Sequence, residues 1–210
     1  MKKPLLCRNL LPFTAVKLYK QNFATVSEEL LQSCLRNDVG ARKQFIESYY
    51  GPFMAMSRRY AKSNEQANTF FHQAFLDLFK QLVNFNPENN FDEWIKDSFL
   101  SSIVQQLKNC KAEYYVTTTT RVDDKKTNPD LFHDSDEDDV NNLGAEDYIK
   151  ALQQLPASFR AVYNMNVIEE YPFSRISALL EVSEASAQNT LERAKNQFAK
   201  NLQQQMHGYA

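Results

Sequence analysis

Three residues, Glu181-Val182-Ser183, separate two runs with helical periodicity, and they constrain the C-terminal part of the chain more than any other feature. Before them, Ser174 is placed to cap a short helix carrying Ile176, Leu179 and Leu180. After them, Ser183 caps a longer helix whose apolar positions are Ala187, Leu191, Ala194, Phe198 and Leu202. Further upstream, Pro156 opens a helix at its first position, where a missing N–H costs nothing, and Leu152, Leu155, Phe159, Val162 and Tyr163 form a buried stripe. A short helix, a three-residue turn and a longer helix make a helix-turn-helix plan, whose second helix enters a DNA major groove. A plain bundle of amphipathic helices fits the same periodicity.

Composition narrows the function classes. The net charge of −2 and a pI near 6.0 leave any basic surface local. The four glycines are never clustered, which excludes a glycine-rich phosphate loop. Cys7, Cys34 and Cys110 are odd in number and far apart, fitting a reducing cytoplasm, and they form no CxxC or HxxH pair with His72, His133 or His207. No metal, cofactor or catalytic group is therefore expected. Nor does any run approach the roughly 18 apolar residues of a membrane helix. His72 has no nucleophile at productive spacing, and the acids Asp92-Glu93 and Glu169-Glu170 are adjacent, on different faces of a helix.

The expected organisation is all-α, with two small helical domains. Residues 1–26 form a basic arm with five Lys or Arg and no acid. Residues 27–111 read as four helices: one from Ser27, then about 41–63, 65–83 and 91–110, with Gly51-Pro52 bending the second. Asn84 to Asn90 has the composition of a loop. Residues 112–143 form a flexible acidic linker, with six acids and no Lys or Arg between Asp130 and Asp139. Residues 144–210 hold the helix-turn-helix.

Leu155-Pro156, Arg160, Tyr163, Ile176, Leu179-Leu180, Val182-Ser183 and Leu191-Glu192-Arg193-Ala194 together resemble the C-terminal domain of bacterial RNA polymerase sigma factors of the extracytoplasmic-function group. The N-terminal block is similar to that family's first domain through Ala67, Phe75, Phe79, Phe91, Trp94 and Ile95. The polar positions diverge. Asn68, Thr69, His72 and Gln73 stand where the family has acids and Gln, and Ser101, Gln105 and Lys108 where it has Asn, Asp and Arg.

The resemblance implies a transcription initiation factor that binds core RNA polymerase and promoter DNA. Asn68, His72, Gln73, Leu76 and Phe79 would touch polymerase. Phe85, Asn86, Asn89, Asn90 and Trp94 would hold the melted minus-ten strand by stacking and amide contacts. Arg175, Ser186, Gln188, Asn189, Arg193 and Lys195 would line the recognition helix. The linker would thread polymerase channels as a mimic of RNA backbone. An anti-sigma factor is an implied partner.

Between Ala151 and Leu202 five bases meet five acids, and the family commonly has Lys or Arg where Gln188 and Asn189 stand. Neutralised phosphates supply most DNA affinity, so promoter choice is expected to fall to a separate DNA-bound or RNA-guided partner. The alternative class is a sigma-like regulatory adaptor that binds polymerase or another protein without reading DNA.

Overall fold

The computed structural model describes residues 26–109 and 143–207, all helix, turn or loop, with no strand among them. The helices fall into two compact units, one within Gln21–Lys111 and one within Ala112–Ala210. All of the expected basic arm but Val26, and all of the expected acidic linker but Leu143, lie outside the described residues. Among those described, no helix is long and apolar enough to cross a membrane.

In the first unit, α1 (Glu28–Leu35) begins where Ser27 Oγ accepts from the Leu30 N–H at 3.3 Å. Asn37 turns the chain with φ 63°, a left-handed conformation that an Asn side chain tolerates. Asp38 then caps α2 (Val39–Tyr60), its Oδ1 accepting from the Ala41 N–H at 2.7 Å. The helix continues through Pro52. Ser63 caps α3 (Asn64–Gln81) in the same way, through the Gln66 N–H at 3.2 Å. A 3-10 turn (Leu82–Asn84) and the expected loop lead to α4 (Phe91–Asn109). Each of these starts carries a side-chain acceptor because the first N–H groups of a helix have no partner within it.

The helical stripes converge on an aromatic core. Phe53 stacks on Phe99 with ring centroids 4.1 Å apart, and Phe75 meets Phe53 and Phe99 edge-on at 5.8 and 5.4 Å. Phe45, Tyr49, Phe53 and Phe99 have no solvent exposure. Fully burying one such side chain contributes about 1.5–3 kcal/mol, so this cluster contributes strongly to the unit's stability.

Asp77 fastens α3 to α4. Its carboxylate accepts from Ser102 Oγ at 2.8 Å, Gln73 Nε2 at 3.1 Å and Lys80 Nζ at 3.1 Å. Partial burial pushes its pKa up, but the hydrogen bonds from Ser102, Lys80 and Gln73 outweigh this and hold it below the ordinary carboxylate value. A carboxyl depressed in the folded state stabilises above its unfolded pKa and loses that contribution as pH falls through the folded one. Asp77→Asn is therefore expected to be less stable than wild type at neutral pH, by about 1–2 kcal/mol. The gap should close below about pH 4. Urea unfolding at pH 7 and pH 3 measures it, and a gap independent of pH would contradict the assignment.

In the second unit, α5 (Ala145–Gln153) starts where Asp147 Oδ2 accepts from the Gly144 N–H at 3.0 Å. Next come α6 (Ala157–Tyr163), a π turn (Asn164–Ile168), α7 (Phe173–Leu180) and α8 (Glu184–His207). Tyr163 packs against Phe198 at 4.8 Å, and Ile176, Leu180, Ala187, Leu191, Ala194 and Leu202 are buried as the periodicity requires. Asn201 Nδ2 donates to the Ala151 carbonyl at 3.0 Å, tying the far end of α8 to α5.

Two helix starts differ from expectation. Pro156 occupies the cap position before α6 rather than its first turn, with extended ψ of 147°. Ser174 does not cap α7: the helix begins at Phe173, and Pro172 takes the cap position with ψ 154°. Proline's fixed φ and missing N–H suit the entry to a helix, so Pro172 sets the start two residues before the serine can. Ser183 does cap α8, its Oγ accepting from the Ser186 N–H at 3.1 Å. The intervening turn is made by Glu181 at φ 58°, left-handed without a glycine.

Candidate nucleic-acid interface

The sequence of α8 splits its surface in two. Ala187, Leu191 and Ala194 are buried, which turns Ala185, Ser186, Gln188, Asn189 and Glu192 outward. Positions 185, 188, 189 and 192 share one outer stripe by helical spacing. No Lys or Arg occurs from residue 181 to residue 192, whereas Glu181, Glu184 and Glu192 are all exposed.

The cations around this stripe are held by neighbours. The Arg175 guanidinium lies 4.2 Å from the Tyr171 ring centroid, and that of Arg193 lies 5.1 Å from the Phe159 centroid. Both remain exposed, so stacking orients them without removing them from solvent. Lys195 is half-buried, with Nζ 3.0 Å from Glu192 Oε1. Arg160, one of the five bases counted in the sequence, is 2% exposed. Its Nη1 donates to the carbonyls of Gln153 and Leu155, each at 2.9 Å, which makes it an internal fastener of the α5 end and no part of a DNA surface. The Arg175–Tyr171 contact is legible as a four-residue spacing. The Arg193–Phe159 contact spans two helices and leaves no local signal.

The loop before α4 gathers three aromatics. Phe85 is half-buried, 5.0 Å from Trp94 and 5.1 Å from Phe91, and Phe91 and Trp94 lie 5.8 Å apart. Two of the candidate asparagines have local work. Asn90 Oδ1 caps α4 by accepting from the N–H groups of Asp92 and Glu93 at 3.0 and 3.3 Å. Asn86 Oδ1 accepts from the Glu88 N–H at 3.0 Å, the geometry of an Asx turn. Asn89 is exposed, and its backbone N–H donates to the Asn86 carbonyl at 3.0 Å.

Along α3, Asn68, His72 and Leu76 are exposed at four-residue spacing. Gln73 is half-buried and turned toward Asp77. Phe79 is half inside the fold, 5.6 Å from Phe45 and 6.2 Å from Phe75, with the Arg42 guanidinium 4.9 Å from its centroid. The open apolar surface is instead Leu76 at 57% and Val83 at 72% exposure. Val83 escaped the sequence reading, although it lies seven residues beyond Leu76 and so on the same stripe. Among the described residues no cluster of three or more His, Cys, Asp or Glu is placed to hold a metal. Cys34 is buried, and burial pushes its thiol above the ordinary value.

Residues 145–198, the helices just described around the 181–183 turn, match the family Sigma-70, region 4. The ECF RNA polymerase sigma factor SigE of Mycolicibacterium smegmatis is 25% identical over 147 residues, 68% of this chain and 54% of the relative. Together the two likenesses support a sigma factor of the extracytoplasmic-function type. The chain spans about half the length of that curated relative. A solved structure of CnrH in complex with the cytosolic domain of CnrY is similar at 14% identity and a TM-score of 0.44, covering 83% of this chain and 96% of that one. The family match falls wholly on the second unit, on the helices that expose Gln188 and Asn189.

Proposed function

We propose that the chain is a transcription initiation factor, acting in the cytoplasm by binding rather than by catalysis. It joins core RNA polymerase, brings it to promoters and stabilises the melted minus-ten strand. The observation that carries this reading is the match of residues 145–198 to sigma-70 region 4, on a helix-turn-helix with an exposed outer face. In this account residues 27–111 bind polymerase through the α3 stripe, residues 112–143 tether the two domains, and residues 144–210 approach duplex DNA. Regulation by an anti-sigma factor belongs to the same proposal.

Strand opening is assigned to the loop before α4. Phe85 and Trp94 offer stacking surface, and Asn89 an amide clear of the capping work done by Asn90. Stacking one base on an aromatic contributes about 1–3 kcal/mol. The double variant Phe85→Ala, Asn89→Ala is expected to retain capture of core polymerase while reducing promoter opening on the order of tenfold or more. Co-purification with core polymerase and a fluorescent base analogue in the promoter read the two steps separately. Normal opening by the variant would remove the loop from the mechanism.

The exposed face of α8 supports a second element, delegated promoter choice. With no cation between residues 181 and 192 and acids at Glu181, Glu184 and Glu192, phosphate anchorage is left to Arg175, Arg193 and Lys195. Each of these already contacts a neighbouring side chain. A second DNA-bound or RNA-guided partner then supplies the missing affinity.

A further inference from the structure

The outer stripe of α8 is chemically narrow, and this constrains what it can recognise. In a major groove, guanine is read by the paired donors of Arg or Lys, and adenine by the donor–acceptor pair of a carboxamide. The stripe offers two exposed carboxamides, Gln188 and Asn189, and no basic side chain in its first two turns. The helix start is held in place by Ser183 Oγ on the Ser186 N–H, and the buried Ala187 and Leu191 fix its rotation.

Gln188 and Asn189 are consecutive, so their Cα atoms are about 3.8 Å apart. The rise between base pairs is about 3.4 Å, which lets the two amides address neighbouring pairs. Ala185 lies one turn earlier on the same stripe and presents only a methyl group, which suits contact with the thymine methyl. Glu184 and Glu192 bracket the stripe with negative charge and add no donor for guanine.

We propose that α8 selects a duplex element with two adjacent A·T pairs, read by Gln188 and Asn189, beside a thymine seated against Ala185. This rests on the reading of the second unit as a duplex-contacting sigma domain, and it adds the class of sequence that unit prefers. The preference is one of base identity and coexists with weak phosphate anchorage. A recruiting partner supplies affinity, and α8 chooses the register within reach.

The test is enrichment of a random duplex pool by the full chain together with core polymerase, at about 50 mM salt so that weak contacts register. Wild type should enrich adjacent A·T pairs on the order of tenfold per position over G·C. The variant Gln188→Ala, Asn189→Ala should lose selection at those two positions only, with preferences elsewhere in the retained DNA as the internal control. Gln188→Arg should convert one of them to G·C. All three changes lie on an exposed helix surface, and thermal melting confirms the fold of each variant. If no duplex is retained beyond core polymerase alone, even when host extract is added, the initiation-factor reading fails and the inference with it. If duplexes are retained but G·C is selected at these positions, or the alanine variant selects as wild type does, the inference alone is overturned.

Discussion

Replacing Arg160 by Ala is expected to destabilise the C-terminal unit by about 3 kcal/mol or more, one of the largest effects any single change in that unit should have. The guanidinium is 2% exposed and donates to two carbonyls, those of Gln153 and Leu155, where α5 ends and α6 begins. Truncation leaves both acceptors without that donor, the Leu155 carbonyl fully buried, and opens a cavity the size of a long side chain. In a unit of this size the loss corresponds to a fall in melting temperature of roughly 12 °C or more. Arg160→Lys keeps the stem and one charged donor and should recover part of the difference. Calorimetry of the full chain reads the change. A shift within about 0.5 kcal/mol, as for ordinary surface sites, would contradict the fastening role.

Leu76→Asp is expected to have the opposite profile, with stability unchanged and polymerase binding reduced by a factor of thirty or more. Leu76 is 57% exposed and contributes little to the core, but it continues the exposed α3 stripe of Asn68 and His72. An apolar anchor at an interface can contribute roughly 2 kcal/mol, and the substituted carboxylate adds a desolvation penalty. Phe79 is a poorer probe, because its ring already packs on Phe45 and Phe75 and its loss would disturb the fold. Apolar and amide contacts also imply an affinity that changes little with salt, since screening acts on charges. Titration of labelled core polymerase at low and moderate salt measures both points. Wild-type affinity in the variant, or a steep salt dependence, would argue against an apolar interface.

Apolar spacing carried most of the fold. The stripes through Phe45, Phe53, Phe75, Phe99 and Ile103, and through Ile176, Ala187, Leu191 and Phe198, are the buried cores of the two units. Caps with a short side-chain acceptor were equally legible at Ser27 and Ser183, because the acceptor and the N–H it serves lie within three residues. Ser174 misled for the same local reason: Pro172 determines that helix start, and the rivalry between the two is not visible in periodicity.

The candidate sites were less legible, since residue type says which chemistry is available but not which neighbour takes it up. Asn86 and Asn90 are legible as amides, but that their side-chain oxygens accept from the Glu88, Asp92 and Glu93 amides is not. Arg160 counts as surface charge until α5 and α6 close over it. Gln73 and Phe79 face partly inward for the same kind of reason, through contacts with Asp77 and Phe45. Gln188 and Asn189 keep their outward positions because Ala187 and Leu191 fix the helix face beneath them.

The most direct test of the central proposal is transcription from a random promoter pool by core polymerase, with and without the purified chain, and with host extract as a third condition. The account predicts initiation only when the chain is present, weakly selective with the two purified components, and sharply selective once extract supplies the targeting partner. Failure of the chain to support initiation in any condition would contradict the account at its centre. Strong, sharply selective initiation by the two purified components alone would leave the initiation factor standing and remove the partner.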